Sequence, residues 1–299
     1  MKKTLIVLAL LASFQVANAQ SNVNSAAKAV ESALAASQNE KKATKVATWL
    51  KLAQTYLDAY GAPAGNVWLG ADQASLQLSM GNEKPVSVEA VTLGDGQYTK
   101  QVFENKNLYI NSAGQLAIIE VTKPVVENAL GKALEAYKKA YEVDEKHAKD
   151  KEISEGIKSI NEKLSQEAYY AYSLGDVKKA EEYFEAAYEA AAQKPYAQID
   201  TNSLYNAAFT SWSTENFSKA KTMFDKCLGY GYYGDGGEVF AKLSDCVSHI
   251  DTTAAGKTAA KEYLEQGFQK FPTSESIVFG LINYYMTSGE GTDRLFELL

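Results

Sequence analysis

One stretch of this chain, from Leu164 to Ala192, has a pattern that returns twice downstream at a constant interval of 40 residues. Within it, a small, a large and a small residue stand at positions i, i+4 and i+7, which is the spacing of one face of an α-helix. A pattern that recurs at an interval of this length indicates a repeat architecture. The three copies are Ala180, Phe184 and Ala187, then Ala220, Phe224 and Cys227, then Ala260, Leu264 and Gly267.

A second apolar helix pattern precedes each triplet and begins at Leu164, Leu204 or Phe240. A turn such as Gly175-Asp176 separates the two patterns, so the repeating unit is a helical hairpin. A single hairpin cannot bury its apolar face alone, whereas neighbouring hairpins that stack together bury a continuous core. The sequence therefore predicts a mainly α-helical chain built as a stack of hairpins.

Residues 1–19 have the pattern of a secretory signal peptide. Two lysines precede an apolar run from Leu5 to Phe14, and the triplet Ala17-Asn18-Ala19 supplies a small-x-small cleavage site. The apolar run is too short to span a bilayer. We therefore expect cleavage after Ala19, a mature chain without a transmembrane segment, and a periplasmic or secreted location.

Two alanine-rich helical patterns, Ser25–Ala36 and Lys41–Ala59, follow the signal peptide, and the second of them opens the first repeat. The second helix of that repeat carries the triplet Ala133, Tyr137 and Ala140, so the two halves of the repeat are far apart in sequence. The predicted organisation is an N-terminal helix at 20–45, a first repeat at 46–148 split by an insert at 61–123, and further repeats at 149–299, the last one incomplete.

The insert differs from the rest of the chain because it is rich in β-branched and aromatic residues. Leu108-Tyr109-Ile110 and the run from Leu116 to Val121 flank a turn at Asn111 to Gly114. This composition predicts a β-hairpin. Because a lone hairpin is only marginally stable in water, we expect it to lie against the helices.

The end of the chain is unusual for a stack of hairpins. The last repeat stops at Leu299, partway along its expected second helix. A stack normally finishes with a polar capping helix, and the final residues, Phe296 to Leu299, are mostly apolar. Two interpretations stay open: the sequence is truncated, or a partner covers this end.

One segment matches a known repeat motif. Trp49, Leu52, Ala53 and Tyr56 have the spacing of the first helix of a tetratricopeptide repeat (TPR), with Ala in place of the usual Gly. The recurring triplets resemble the second helix of the same repeat, and the last triplet is followed by Pro272 as in the family pattern. The chain therefore resembles an exported bacterial TPR protein over most of its length. Its interval of 40 residues exceeds the 34 of that family, which indicates longer loops between repeats.

The resemblance implies a TPR-like α-solenoid in which the first helix of each repeat lines a concave face. Tyrosine and tryptophan on such a face offer large rigid surfaces with a polar tip, which suits them to anchor a partner. Two interpretations are open for them: they contact a protein or peptide partner, or they pack within the molecule, beneath the insert. The aromatic residues that fall at concave positions, taken here as candidate partner-binding residues, are Tyr169, Tyr172, Tyr205, Phe209, Trp212 and Phe279.

The same positions are mostly small or polar in the last two repeats, so aromatic residues concentrate in the middle of the stack. In the fourth repeat they are Glu238, Ala241, Asp245, Ser248 and His249, and in the fifth they are Ser276, Phe279, Asn283, Met286 and Thr287.

The charge of the chain argues against a nucleic-acid partner. The formal net charge is −7, with 30 basic and 37 acidic residues. Proteins that hold a phosphate backbone cluster Lys and Arg on one face, whereas here Lys and Glu interleave at helical spacing. We therefore expect no nucleic acid among the partners.

Candidate chemistry is sparse in the sequence. The chain has two histidines, His147 and His249, and neither has a Cys or carboxylate at metal-ligand spacing. Ala255-Gly256-Lys257-Thr258 looks like the end of a phosphate-binding loop, but Asp251 stands where that motif requires its first glycine. We predict no catalytic, metal-binding or cofactor-binding residues, and hence no cofactor and no enzymatic activity.

The chain has two cysteines, Cys227 and Cys246. Cys227 holds the small third position of its triplet, which is typical of a buried core residue. An exported protein can also oxidise such a pair to a disulfide. Both states stay open from the sequence.

Three functions are compatible with these features. The first is a non-enzymatic exported scaffold that binds a protein or peptide in the concave face. The alternative is a glycan-binding component of an outer-membrane uptake system, because helical-repeat folds occur there and Tyr and Trp stack on sugars. An enzyme with a site in the insert has only the insert itself in its favour. The sequence predicts the first of these.

Overall fold

The computed structural model describes residues 23–288 and Gly291. The predicted signal peptide at 1–19, its cleavage site and the predicted apolar end of the chain lie outside these residues. The described part is mainly helical and contains one small antiparallel sheet of four strands. None of its helices combines the length and apolar composition that crossing a membrane requires.

The N-terminal region contains three helices, which differ in bounds from the two predicted. They are α1 (Val23–Ser37), α2 (Glu40–Ala43) and α3 (Val46–Gly61). Asn39 starts the short α2 because its side chain accepts a hydrogen bond from the backbone N–H of Lys42. The backbone is extended again at Lys45, so the helix predicted at Lys41–Ala59 is interrupted there. Trp49 joins the two pieces, because its indole N–H donates to the carbonyl of Ala43 at 2.8 Å.

The insert folds into one helix and four strands, which is more structure than the single hairpin predicted. The hairpin itself is present, and the Asn111 side chain holds its turn by accepting hydrogen bonds from the N–H groups of Ala113 and Gln115, both at 3.0 Å. The four strands lie in sequence order and each pairs antiparallel with the next. The elements are α4 (Gln73–Met80), β1 (Ser87–Leu93), β2 (Gly96–Val102), β3 (Lys106–Asn111) and β4 (Leu116–Val121).

The two faces of the sheet pack differently. Leu108 and Leu116 point to one face, where they form a small core with Leu76 of α4. Tyr109 and Ile118 point to the other face, where they contact Tyr170 of a helix in the repeat region. The sheet therefore lies against the helices, as expected from the marginal stability of a lone hairpin.

The repeat region consists of eight helices in the described part of the chain, and each packs against the next. The three predicted triplets are all buried at the helix contacts, which confirms the helical face that they define. The helices are α5 (Ala129–Val143), α6 (Asp150–Ser173), α7 (Val177–Ala191), α8 (Thr201–Ser213), α9 (Phe217–Gly229), α10 (Glu238–Ile250), α11 (Ala254–Lys270) and α12 (Glu275–Ser288), with a 3-10 turn at Asp235–Gly237 before α10.

Side-chain hydrogen bonds also join residues of successive hairpins. The Asn161 amide on α6 donates to the Asp200 carboxylate at 2.7 Å, and Asp200 in turn caps the start of α8. The Tyr263 hydroxyl on α11 donates to Asp225 of α9 at 2.9 Å. These partners are 39 and 38 residues apart in sequence, close to the repeat interval. The repeat therefore brings equivalent positions of neighbouring hairpins together.

The two cysteines are unpaired thiols, so the structure does not contain the disulfide that was left open. Both are fully buried in one apolar cluster with Phe224 and Leu243. Burial raises the pKa of each thiol to about 12. Both residues therefore serve as small core side chains.

Candidate functional site

Five of the six predicted aromatic residues come together on one side of α6 and α8. The Phe209 ring lies at their centre, with centroids 6.5 Å from Tyr172, 6.4 Å from Tyr205 and 5.8 Å from Trp212. All of these residues are half-buried, so each is partly covered by its neighbours and partly accessible to solvent. We call this group, together with Tyr169, the aromatic row.

Tyr169 forms the α6 end of the aromatic row. Its ring packs edge-on against Phe184, with centroids 5.1 Å apart and planes at 84°. Its hydroxyl oxygen accepts hydrogen bonds from the side-chain amides of Asn202 at 3.0 Å and Asn206 at 3.2 Å, both on α8. Tyr169 thus links α6 to α8, the first helices of two successive hairpins, and remains half-buried.

Tyr205 joins α8 to α10 in the same manner. Its hydroxyl donates to the carboxylate of Glu238 at the start of α10. Burial raises the pKa of this hydroxyl far above its usual value, and the Glu238 carboxylate raises it further. The hydroxyl is therefore a neutral hydrogen-bond donor at any physiological pH.

The glycine- and tyrosine-rich loop before α10 contributes to the row. The Tyr232 ring lies 5.6 Å from Tyr205, while Tyr233 stacks on Phe240 at 5.8 Å and anchors the loop to the core. The composition of this segment, Gly229 to Gly237, is compatible with two interpretations, a binding loop and a simple turn between helical hairpins, of which the turn is the commoner. No spacing pattern in the sequence identified Tyr232 as a neighbour of Tyr205.

Trp212 lies at the α10 end of the row and has the most polar surroundings. Its indole N–H donates to the Asp245 carboxylate at 2.6 Å. The ammonium nitrogen of Lys242 lies over the indole, 3.3 Å from the ring centroid, and 5.2 Å from the centroid of Phe209. This is cation–π geometry at short range. The helical pattern predicted Asp245 to face this side, but nothing in it pointed to Lys242.

Asp245 also contacts a histidine. The His249 Nδ1 lies 2.9 Å from the backbone carbonyl oxygen of Asp245 and 3.5 Å from its carboxylate, and the imidazole stacks on Phe217 with centroids 4.1 Å apart. One carboxylate therefore faces both an indole N–H and an imidazole.

A small cavity of about 120 Å³ opens beside Trp212. It connects α8, α10 and the start of α12, and five of its six lining residues, all except Lys242, are at positions that the TPR resemblance assigns to the concave face. Its lining residues are Trp212, Glu238, Ala241, Lys242, Asp245 and Ser276.

Phe279, the sixth predicted residue, stands apart from the aromatic row. It lies on α12, one turn beyond Ser276, and 67% of its surface is exposed. Within residues 23–288 it makes no ring contact with the other five. Phe279 is therefore an isolated exposed ring, three residues beyond a residue that lines the cavity.

A larger cleft of about 510 Å³ lies elsewhere, between α3, α5, α6 and α7. Apolar side chains, including Trp49, Leu134 and Leu164, form its walls, and charged side chains, including Lys132 and Glu189, form its rim. None of the six predicted residues contributes to it.

Beside the aromatic row lie two carboxylates, those of Glu238 and Asp245, and the ammonium group of Lys242. Several polar tips in the row are already used between helices, as the second interpretation of these residues anticipated. In the described part of the chain, no three His, Cys, Asp or Glu side chains are grouped as a metal site would require.

Comparisons with known proteins identify no family. No family model matches the chain, and no curated protein matches it. Among solved structures, it is similar to the crystal structure of BtubC (BKLC) from P. vanneervenii, with 14% sequence identity and a TM-score of 0.34 over 93% of this chain and 89% of that chain. Similarity at this level assigns neither a family nor a function.

Proposed function

We propose that this protein is an exported, non-enzymatic TPR-like scaffold that binds a protein or peptide partner along the aromatic row. In this proposal, the helical hairpins form an α-solenoid, and α6, α8, α10 and α12 line its concave face. The partner lies across these helices, with its side chains against the rings and its polar groups near Glu238 and Asp245.

The single observation that carries the proposal is the partial exposure of the aromatic row. Three conditions suit these rings to bind a partner. They are adjacent, none is fully buried, and three of them, Tyr169, Tyr205 and Trp212, are held in place by side-chain hydrogen bonds to a neighbouring helix. Aromatic residues that are rigid before binding lose little conformational entropy on binding. Energetic hot spots of interfaces are enriched in Trp and Tyr for this reason.

A peptide suits the row better than a glycan does. Sugars stack on an open ring face, but one face of Trp212, the largest ring of the row, is covered by Lys242. Its indole N–H is also already bonded to Asp245. Edge contacts and carboxylate acceptors remain, and these match the side chains and N–H groups of a polypeptide.

The test compares two variants of the chain from Gln20 to Leu299. The first carries Tyr172→Ala and Trp212→Ala in the aromatic row. The second, a matched control, carries Trp68→Ala at an exposed tryptophan in the insert, where 52% of the side chain is accessible. Each chain is immobilised and used to capture proteins from the periplasmic fraction, and far-UV circular dichroism confirms that each is folded.

We expect one or more proteins to be recovered with the unmodified chain and with Trp68→Ala, and at least about tenfold less of the same proteins with the double variant. Equal recovery by all three chains would remove the aromatic row as the binding surface. A glycan array run with the unmodified chain distinguishes the alternative, because strong glycan signals lost in the double variant would favour carbohydrate binding.

A further inference from the structure

The cavity beside Trp212 has the size of a side-chain tip. A water molecule takes up about 30 Å³ in the liquid, and sites for small molecules span roughly 300–1,000 Å³. At about 120 Å³, this cavity has room for the end of one long side chain and not for a whole cofactor or drug-sized ligand.

The walls of the cavity favour positive charge. Glu238 and Asp245 contribute two carboxylates, Ser276 contributes a hydroxyl, and Trp212 contributes the electron-rich face of an indole. Against these stands one cation, Lys242, so the lining carries a net formal charge of −1. The whole chain has the same sign, with a formal net charge of −7. A cationic group is therefore attracted both from a distance and at contact.

The geometry at Trp212 shows how a cation is held there. The Lys242 ammonium nitrogen lies 3.3 Å from the indole centroid, and the indole is fixed in place by its hydrogen bond to Asp245. The Asp245 and Glu238 side chains are both only partly buried, so their carboxylates remain reachable from the cavity. Lys242 thus occupies the ring face that a second ammonium or guanidinium group would use.

We propose that the cavity receives a lysine or arginine side chain of the partner, and that this side chain competes with Lys242 for the face of Trp212. The proposal rests on the proposed function, because it names the chemistry of the segment that the aromatic row binds. The basic side chain lies between the Glu238 and Asp245 carboxylates, and the neighbouring residues of the peptide run along Phe209 and Tyr172.

The test uses three fluorescein-labelled peptides of equal length, in which glycine alternates with lysine, serine or glutamate, and measures binding by fluorescence anisotropy. Four variants of the full mature chain are compared. Asp245→Asn removes one carboxylate of the cavity, and Glu182→Gln removes one exposed carboxylate on α7 as its control. Lys242→Met removes the competing ammonium. Its control is Lys261→Met, because Lys261 on α11 also lies over an aromatic ring, that of Tyr284 on α12.

We expect the lysine peptide alone to bind saturably. Asp245→Asn should weaken its binding about tenfold, as expected for the loss of one charge-assisted contact, and Lys242→Met should strengthen it. The two controls should match the unmodified chain. Binding should also weaken when the salt concentration rises from about 0.01 M to about 0.15 M, because the Debye length falls.

Three results would overturn this inference. The first is that the serine or glutamate peptide binds as tightly as the lysine peptide, and the second is that the lysine peptide does not bind. The third is that Asp245→Asn has no larger effect than Glu182→Gln, which would indicate diffuse attraction to an acidic surface. The proposed function would survive each of these if capture of a partner still depended on Tyr172 and Trp212, so failures of the two proposals can be told apart.

Discussion

At the scale of single residues, the most unusual group is the carboxyl of Glu167 on α6. Tyr60 at the end of α3 donates its hydroxyl to Glu167 Oε1 at 2.6 Å. Burial raises the pKa of Glu167, and the Tyr60 hydrogen bond and the nearby charge of Lys179 only partly offset that effect. The surroundings of Glu167 therefore disfavour the charged form of its carboxyl.

The substitution Glu167→Gln tests how burial of this carboxylate affects the free energy of unfolding. Because the folded-state pKa is raised above the unfolded value of about 4.3, the carboxyl contributes most to stability below that pH and loses the contribution as pH rises through the folded pKa. Glutamine keeps an oxygen that accepts the Tyr60 hydrogen bond and has no charge. We therefore expect the free energy of unfolding of the variant, relative to the unmodified chain, to increase from about pH 4 to about pH 7 in urea titrations.

Glu182→Gln on the exposed face of α7 serves as the control and should show no such trend. A relative stability of Glu167→Gln that falls over the same pH range would mean that the charged carboxylate is favoured by its surroundings, contrary to this account.

At the scale of secondary-structure elements, the repeat helices were predictable and the insert was predictable only in part. The triplets, such as Ala180, Phe184 and Ala187, have a spacing that specifies a helix face, and all are buried. Strands β3 and β4 were predictable because two apolar segments flank the turn from Asn111 to Gly114. Strands β1 and β2 are less distinct, since they contain charged and polar residues such as Glu89 and Lys100 and none of their residues is fully buried.

Two phenylalanines of the repeat helices test how far the triplets stabilise the fold. Phe224 on α9 is fully buried, whereas Phe279 on α12 is 67% exposed. We expect Phe224→Ala to lower the free energy of unfolding by about 3–5 kcal/mol, because it removes a large side chain and leaves a cavity. Phe279→Ala should change it by less than about 0.5 kcal/mol in the same urea titration. Equal losses for both variants would show that the triplet face is not the main core of the stack.

At the scale of the whole molecule, the candidate site depends on contacts that no single helix contains. The sequence placed Tyr172, Phe209 and Trp212 on the same side of successive helices, and the structure brings them within ring contact. The sequence did not predict that Lys242 and Tyr232 belong to the site, because their positions depend on how α10 and the loop before it pack against α8. Periodicity predicts which face a residue occupies, and packing between hairpins decides what it meets there.

The central proposal is that a partner binds along α6, α8, α10 and α12. The measurement that tests it most directly is site-specific cross-linking in cells that export the protein, with the photoreactive residue benzoylphenylalanine placed at Phe279 or, as a control, at Leu78 of α4. Both positions are exposed, at 67% and 86%, so neither placement disturbs the core. We predict a discrete cross-linked product from position 279 that is absent from position 78 and is lost when Tyr172→Ala and Trp212→Ala are added. No product from position 279, or the same product from both positions, would contradict the claim.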